Sequence, residues 1–271
     1  MTNDEKRIFQ ECFIQKNDIL FNKIFANKLP KKLLKFYCGL YDEYGNNHNI
    51  DSINEGYIWM SSPKKFNDPF DCALNFDNNI LLNEYIKENN VYIGDADKQK
   101  YINSLNDSDS KLREESFVAC FSEYKNVFSS QMWAKYANNH KGFCVEYNFY
   151  KIMKTAIERN TYNIFPVFYC DKPDIPLFIE NNNNFIYAFP AFFRKSLEWK
   201  SEKEWRIYKA SDKYIGCNGY KLDFISPDKI YAGCKSSYKL KEDLKKLCND
   251  KRIEYYEIEI KCNSYKLGIK R

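Results

Sequence analysis

Three stretches of this chain gather, at close spacing, side chains able to carry charge or move a proton. The densest is Trp59-Met-Ser-Ser-Pro-Lys-Lys-Phe-Asn-Asp-Pro-Phe-Asp71. A strand here delivers Ser61 and Ser62 to a turn stiffened by Pro63 and Pro69, and the turn presents Asn67, Asp68 and Asp71. Proline fixes φ and Asn or Asp side chains bond nearby backbone amides, so such a turn holds hydroxyls and carboxylates rigidly toward a ligand. The bland alternative is a well-capped structural turn with Phe66 and Phe70 plugged into the core.

The second stretch is Trp133-Ala-Lys-Tyr-Ala-Asn-Asn-His-Lys-Gly142. Trp133, Tyr136 and His140 share one face if a helix persists to His140, and a ring, a phenol and an imidazole there would wall a cleft. The alternative is an aromatic face packed on a sheet, with His140 capping the helix before Gly142. With two histidines in the whole chain, a multi-histidine metal site is excluded.

The third stretch is Trp199-Lys-Ser-Glu-Lys-Glu-Trp-Arg-Ile-Tyr208. On a strand from Glu204, the residues Glu204, Arg206 and Tyr208 share a face while Trp205 and Ile207 point into the core. Glu204 beside Arg206 is either a structural ion pair or a charged pair facing a ligand. By the same alternation Glu146 shares a face with Cys144, opposite three apolar residues.

Periodicity supplies the elements that must position these groups. A helix is expected over residues 4–28, ended by Pro30, and a strand over residues 32–38. Residues 39–49 read as a loop, residues 52–54 as the close of a short helix with Gly56 at its C-terminal end, and residues 57–61 as a strand. Residues 80–106 read as a polar helix, 117–121 as a strand, 132–137 as a helix, 142–147 as a strand and 148–160 as a helix. Further strands are expected at 164–169, 204–208, 229–232 and 255–260, with a helix at 239–249 and a surface loop at 181–184. Regular βαβ alternation is absent, so the expected class is α+β, with a mixed, mostly antiparallel sheet. An N-terminal helical extension over residues 1–30 and one domain over residues 31–271 complete the expected organisation.

Composition narrows the classes. The chain has 271 residues, 44% hydrophobic and 29% charged, enough to bury a core. Its net charge of +5 is too mild for a dedicated nucleic-acid binder, yet it permits a phosphate-bearing ligand. The ten cysteines stand singly, without the close pairs a zinc knuckle needs, so reduced thiols in a cytoplasmic protein are expected. The start lacks an apolar signal region, and no run of about eighteen apolar residues exists to span a membrane.

Taken in order, Leu33-Leu-Lys-Phe-Tyr37, Ile58 to Asp71, Cys120-Phe-Ser122, Met132 to Tyr147 and Glu202-Lys-Glu-Trp-Arg206 resemble the bacterial domain-of-unknown-function family 2971. The resemblance runs over nearly the whole chain after the first helix, and it implies a role in phage defence or as a toxin. A more distant likeness is to ADP-ribosyltransferases, which use NAD. Those enzymes place a basic residue or histidine on an early strand, a hydroxyl on a later one, and a glutamate near the last strands. Here that order gives Lys35 or Tyr37, then Ser61 and Ser62, then Glu204, with Cys38 where an arginine is expected. The likeness implies NAD as substrate, with Glu204 stabilising the cation formed as the nicotinamide–ribose bond breaks. It implies Ser61 on the ribose, Trp133 or Tyr136 stacked on nicotinamide, and Arg206 or Lys35 on the pyrophosphate. The target would be a nucleic acid or a protein. The expected cleft lies between the Ser61–Asp71 segment, the Trp133–His140 helix and the Glu204 strand.

Two rival classes remain open. Pro227-Asp228 followed by Glu259-Ile-Lys261 suits a Mg²⁺-dependent nuclease, and a non-catalytic sensor of a nucleotide or phage component would bind without turnover.

Overall fold

The structure is a computed structural model that describes residues 1–14, 18–25, 27–72, 77–90, 92–170, 192–211, 213 and 216–270. Helices α1 (Asn3–Ile14) and α2 (Asp18–Phe25) precede strand β1 (Lys32–Tyr37), helix α3 (His48–Glu55) and strand β2 (Tyr57–Ser61). Two polar helices, α4 (Asn78–Asn89) and α5 (Asp95–Glu115), lead into β3 (Ser116–Glu123). Then come α6 (Ser130–Tyr136), β4 (Phe143–Asn148), α7 (Phe149–Arg159), β5 (Asn163–Pro166) and β6 (Phe168–Cys170). The chain continues with β7 (Arg194–Ser196), β8 (Glu204–Ala210), β9 (Gly219–Asp223), β10 (Lys229–Ala232), α8 (Tyr238–Lys251), β11 (Glu254–Ile260) and β12 (Leu267–Ile269).

One large sheet runs β12-β11-β10-β4-β1-β3-β2-β9, with β8 pairing β3 and β5 pairing β8. All its ladders are antiparallel except β10 with β11, which α8 connects. The class is therefore α+β with a mixed, mostly antiparallel sheet, as the sequence implies.

The sheet forks. β1 and β3 pair only at Leu33↔Glu123 and Leu34↔Ser122; β3 then meets β2 at Ser61↔Val118, while β8 covers its other edge from Ser116 to Ser122. Backbone groups that lose their ladder partner at such a fork need another one, and the pocket described below opens there.

Alternation on β4 divides the core. Phe143, Val145 and Tyr147 face the main cluster, and Cys144 faces a smaller one with Leu34, Val127, Trp133 and Tyr231. Glu146 lies on the Cys144 side, fully buried, where the Tyr231 hydroxyl donates to it at 2.6 Å and Lys32 pairs with it. α1 and α2 are packed onto the sheet: Phe9 meets Trp205 edge-on at 5.5 Å and Phe165 at 5.9 Å, inside the main core cluster.

Several boundaries differ from the sequence reading. The single helix over 4–28 is two helices, and the polar helix over 80–106 is α4 and α5, the latter running on to Glu115. α3 begins at His48, inside the expected loop, because Asn47 caps it by accepting from the amides of Asn49 and Ile50. The strand expected at 164–169 divides after Pro166: the next amide, that of Val167, donates instead to the Glu204 carbonyl at 2.9 Å, and β6 pairs with β7 in a separate parallel ladder. α6 ends at Tyr136, and Asn138, Asn139 and His140 adopt φ of 46°, 54° and 70°. That left-handed run brings Gly142 against β1, where a Cβ would lie 2.1 Å from the Tyr37 carbonyl oxygen. β7, β9 and β12 were not expected, and the loop expected at 181–184 lies outside the described residues. Among the described residues no helix is long and apolar enough to cross a membrane. All ten cysteines are free thiols.

Phe9→Ala is expected to lower stability by about 3–5 kcal/mol, since it empties an aromatic seat against Trp205 and Phe165. Urea unfolding reads this. A midpoint unchanged from wild type would mean that the first helices detach without cost to the sheet.

Candidate active site

Arg206, in the middle of β8, has no exposed surface. A buried guanidinium needs every donor satisfied, and the surroundings do this. Its Nε donates to Glu204 Oε1 at 2.7 Å and its Nη2 to Glu204 Oε2 at 3.2 Å. Its two terminal nitrogens grip Asp71, Nη1 to Oδ1 at 2.7 Å and Nη2 to Oδ2 at 2.8 Å. Nη1 also reaches the Phe192 carbonyl at 2.8 Å and Cys72 Sγ at 3.2 Å.

Lys195 of β7 sits on the far side of Glu204, also buried. Its ammonium donates to Glu202 at 2.8 Å and Glu204 at 3.0 Å, and lies 3.5 Å from Asp71. Glu202 ends the 3₁₀ turn Leu197–Glu202, where its other oxygen accepts from the Tyr136 hydroxyl at 2.7 Å and lies 3.7 Å from the Lys135 ammonium. The Glu204 amide donates to the Tyr169 hydroxyl at 2.7 Å. Three carboxylates thus face two buried cations.

The charges set the protonation states. Burial alone would raise the Glu204 carboxyl, but Arg206 and Lys195 outweigh it and hold the group down at about 2. Burial disfavours the Lys195 ammonium, yet Glu204 and Asp71 hold it above the usual lysine range. Burial pushes the Tyr136 phenol up, and its carboxylate neighbour Glu202 adds to this, so it stays a donor.

A pocket of about 350 Å³ opens in the fork between β1 and β3, a size suited to a small molecule. Phe36, Phe66, Phe121 and Tyr136 form its flat walls, Lys35, Lys65, Lys135 and Lys195 its cations, and Asp71, Glu202 and Glu204 its acidic end. The expected cleft segments therefore do meet: Asn67 and Asp71 come from the turn, Tyr136 from α6, Glu204 from β8 and Lys35 from β1.

Other expected site residues lie elsewhere. Trp133 is fully buried in the smaller core cluster, with Nε1 donating to the Val127 carbonyl at 2.7 Å. His140 leaves the Tyr136 face because the helix stops before it; its Nε2 lies 3.4 Å from Ser130 Oγ. Tyr37 stacks on Phe143 in the main core. Ser61 sits within the β2 ladders to β3 and β9, and Ser62 is buried at the start of the 3₁₀ turn Pro63–Lys65. Asp68 accepts from the Phe70 amide at 2.9 Å, a turn-closing bond, while the Phe70 ring is exposed and not plugged into the core. Arg206 has spent its donors on Asp71, Glu204 and Phe192, so the pyrophosphate role expected for it finds no free donor.

Sequence reasoning passed over Lys195, Glu202, Lys135 and Lys65. Glu202 carried a usable signal, two residues before Glu204 and next to a strand start; Lys195 carried none, since β7 is three residues long. Of the nuclease residues, Asp228 precedes β10 and pairs with Lys151 at 3.1 Å, while Glu259 lies at the other end of β11 and pairs with Lys261. Among the described residues no group of three or more His, Cys, Asp or Glu could hold a metal ion.

The low Glu204 pKa ties this site to acid stability. The folded value of about 2 lies below the ordinary 4.5, so the contribution of Glu204 is fully present above about pH 4.5 and is lost as pH falls toward 2. Glu204→Gln is expected to be less stable at neutral pH and to lose less on acidification through that window, read by circular dichroism melts at stepped pH. Parallel wild-type and variant curves would remove Glu204 from the ionised network. Arg206→Met, which strands Glu204 and Asp71 without their partner, is expected to cost about 3–5 kcal/mol in the same melts at neutral pH.

No curated protein and no solved structure matches the chain. Residues 132–207 match the family described as protein of unknown function (DUF2971). The match takes in Tyr136, Lys195, Glu202, Glu204 and Arg206, whereas Lys35 and the Ser61–Asp71 turn fall outside it. The broader run of resemblance, over nearly the whole chain, thus narrows to this segment, and the chain is similar there to a family whose activity is unassigned.

Proposed function

We propose that the pocket binds a small nucleotide-type anion and acts on a glycosidic bond in it, NAD being the substrate expected. The observation that carries this reading is the sorting of one pocket into flat aromatic walls, lysines, and an acidic end with a carboxylate held ionised. In this reading a heteroaromatic base stacks on a lining ring such as Phe66 or Tyr136, and phosphates pair with Lys65 and Lys135. At the acidic end, loss of nicotinamide builds positive charge on the ribose ring. Fixed carboxylates that outnumber the buried cations stabilise that charge without reorganising. Glu204, held at about 2, is unsuited to shuttling protons near neutral pH and suited to this electrostatic role. A toxin or defence role would follow from destroying NAD or from modifying a nucleic acid or protein.

One observation favours a second reading. Both Glu204 oxygens are already bonded, by Arg206 and Lys195, which leaves the carboxylate less free to accept a ribose hydroxyl. In a nucleotide sensor the same pocket would bind and signal without turnover.

Nicotinamide release from NAD by the purified chain separates the two. Release by wild type, lost by more than roughly a hundredfold in Glu204→Gln and only weakened in Lys65→Ala, supports glycosyl chemistry. Tyr136→Phe, which removes one hydrogen bond to Glu202, serves where Glu204→Gln folds poorly. A raised melting temperature with NAD or ADP-ribose but no release supports the sensor. Neither release nor a shift removes the nucleotide reading altogether.

A further inference from the structure

Among the described residues two amines of the pocket, Lys35 and Lys65, have no carboxylate partner, and of these Lys65 is exposed while Lys35 is half-buried. Lys35 leaves β1 where β1 and β3 part, and its Nζ donates to the Cys120 carbonyl at a long 3.4 Å. It lies 5.7 Å from the Tyr37 ring centre and 5.3 Å from that of Phe121. No carboxylate among the described residues pairs with it, unlike Lys195, which has three, and Lys135, which lies 3.7 Å from Glu202. The groups that face it are the Cys120 thiol and Glu204, with the Tyr37 phenol beside it on β1. Asp71, Glu202, Lys195, Lys135 and Tyr136 line the rest of the cavity.

We infer that Lys35 is a reactive amine of this pocket, placed to condense with the aldehyde carbon of a small phosphorylated ligand. Three observations converge. Lys35 lines a cavity that admits a small molecule, its nitrogen has aromatic rings beside it, and Lys65, Lys135 and Lys195 line the same cavity. Burial lowers its affinity for a proton, so more of it carries the free lone pair that a nucleophile needs. The step balances without a further reagent. The Lys35 nitrogen adds to the aldehyde carbon, its two protons pass to the former carbonyl oxygen, which leaves as water, and a neutral imine remains that a proton from water converts to the iminium. A sugar freed at its anomeric carbon opens to such an aldehyde, so the inference deepens the glycosyl reading, yet it requires only that the pocket accept an anionic aldehyde. The competing role for Lys35 is purely structural: it donates to the Cys120 carbonyl beside the fork.

Pyridoxal 5′-phosphate, an aldehyde that carries a phosphate, tests this on the full chain. Sodium borohydride fixes any iminium as a secondary amine, and peptide mass spectrometry locates it. Lys35 is expected to label roughly tenfold faster near pH 7 than exposed lysines, as a more deprotonated amine should, and ADP-ribose or inorganic phosphate is expected to slow it. Lys35→Arg keeps a cation able to reach Cys120 but cannot form the adduct, and its melting temperature reports whether the fold survives. Labelling spread over surface lysines while Lys35 stays unmodified overturns the inference. So does labelling of Lys35 that rises only at the pH where surface lysines react. Lys35 adducts without nicotinamide release leave the amine standing and remove NAD as substrate; release without adducts does the reverse.

Discussion

Burying the guanidinium of Arg206 is the constraint on which the rest of the site depends. A charge taken out of water costs several kcal/mol unless partners meet it with good geometry. Here the partners come from three separate parts of the chain: Asp71 from the turn after β2, Glu204 from β8 itself and the Phe192 carbonyl from the approach to β7. Satisfying one side chain therefore fixes where those segments lie. Asp71 and Glu204, once buried, need more positive charge than Arg206 supplies, and Lys195 supplies it while bringing in Glu202. Planarity matters: the guanidinium fork holds Asp71 through two bonds in one plane, which an ammonium could not do.

The fork in the sheet explains why this network borders a cavity rather than a packed core. β3 serves β8 along one edge but divides its other edge between β1 and β2. Strands that part leave a wedge, lined by Lys35 and Phe36 from β1 and by Cys120 and Phe121 from β3. α6 and the 3₁₀ turn Leu197–Glu202 close the wedge, joined by the bond from Tyr136 to Glu202 and by the Lys135 ammonium 4.1 Å from the Trp199 ring centre. The charged pocket thus lies where backbone pairing is incomplete.

Sequence reading recovered what is local. Alternation on β4 and β8 placed Glu146 opposite the main core and put Glu204 and Arg206 together, because a two-residue period needs no knowledge of the partner strand. The turn through Asn67 and Asp71 was visible for a similar reason. What failed was non-local. A heptad-like spacing put His140 beside Tyr136, but the close approach of Gly142 to Tyr37 ends the helix early and turns His140 away. Lys195 lies on a strand of three residues that pairs in parallel with β6, and no pattern of that length announces a buried ammonium. The reading of Arg206 as a ligand contact meets a physical obstacle as well: its own face of β8 is covered by protein, and a buried guanidinium must spend its donors there, on Asp71, Glu204 and Phe192.

The same saturation constrains how the pocket could act. All donors of Arg206 are spent in a rigid plane, so it cannot yield Glu204 without breaking its hold on Asp71 too. Lys195 is different: its ammonium is shared among three carboxylates at 2.8, 3.0 and 3.5 Å, and its stem is flexible. If a ligand's own positive charge arrives at the acidic end, it competes with Lys195 and not with Arg206. Lys195 can then shift toward Glu202, which frees the side of Glu204 Oε2 that it occupied, while both Glu204 oxygens stay bonded to Arg206. That exchange is favourable only for a ligand that carries or develops a cation, because a neutral one would leave Glu204 short of charge. Under the proposed reading such an acidic end favours a ligand that develops positive charge, and Lys195, whose ammonium is shared among three carboxylates, is the cation that ligand would displace.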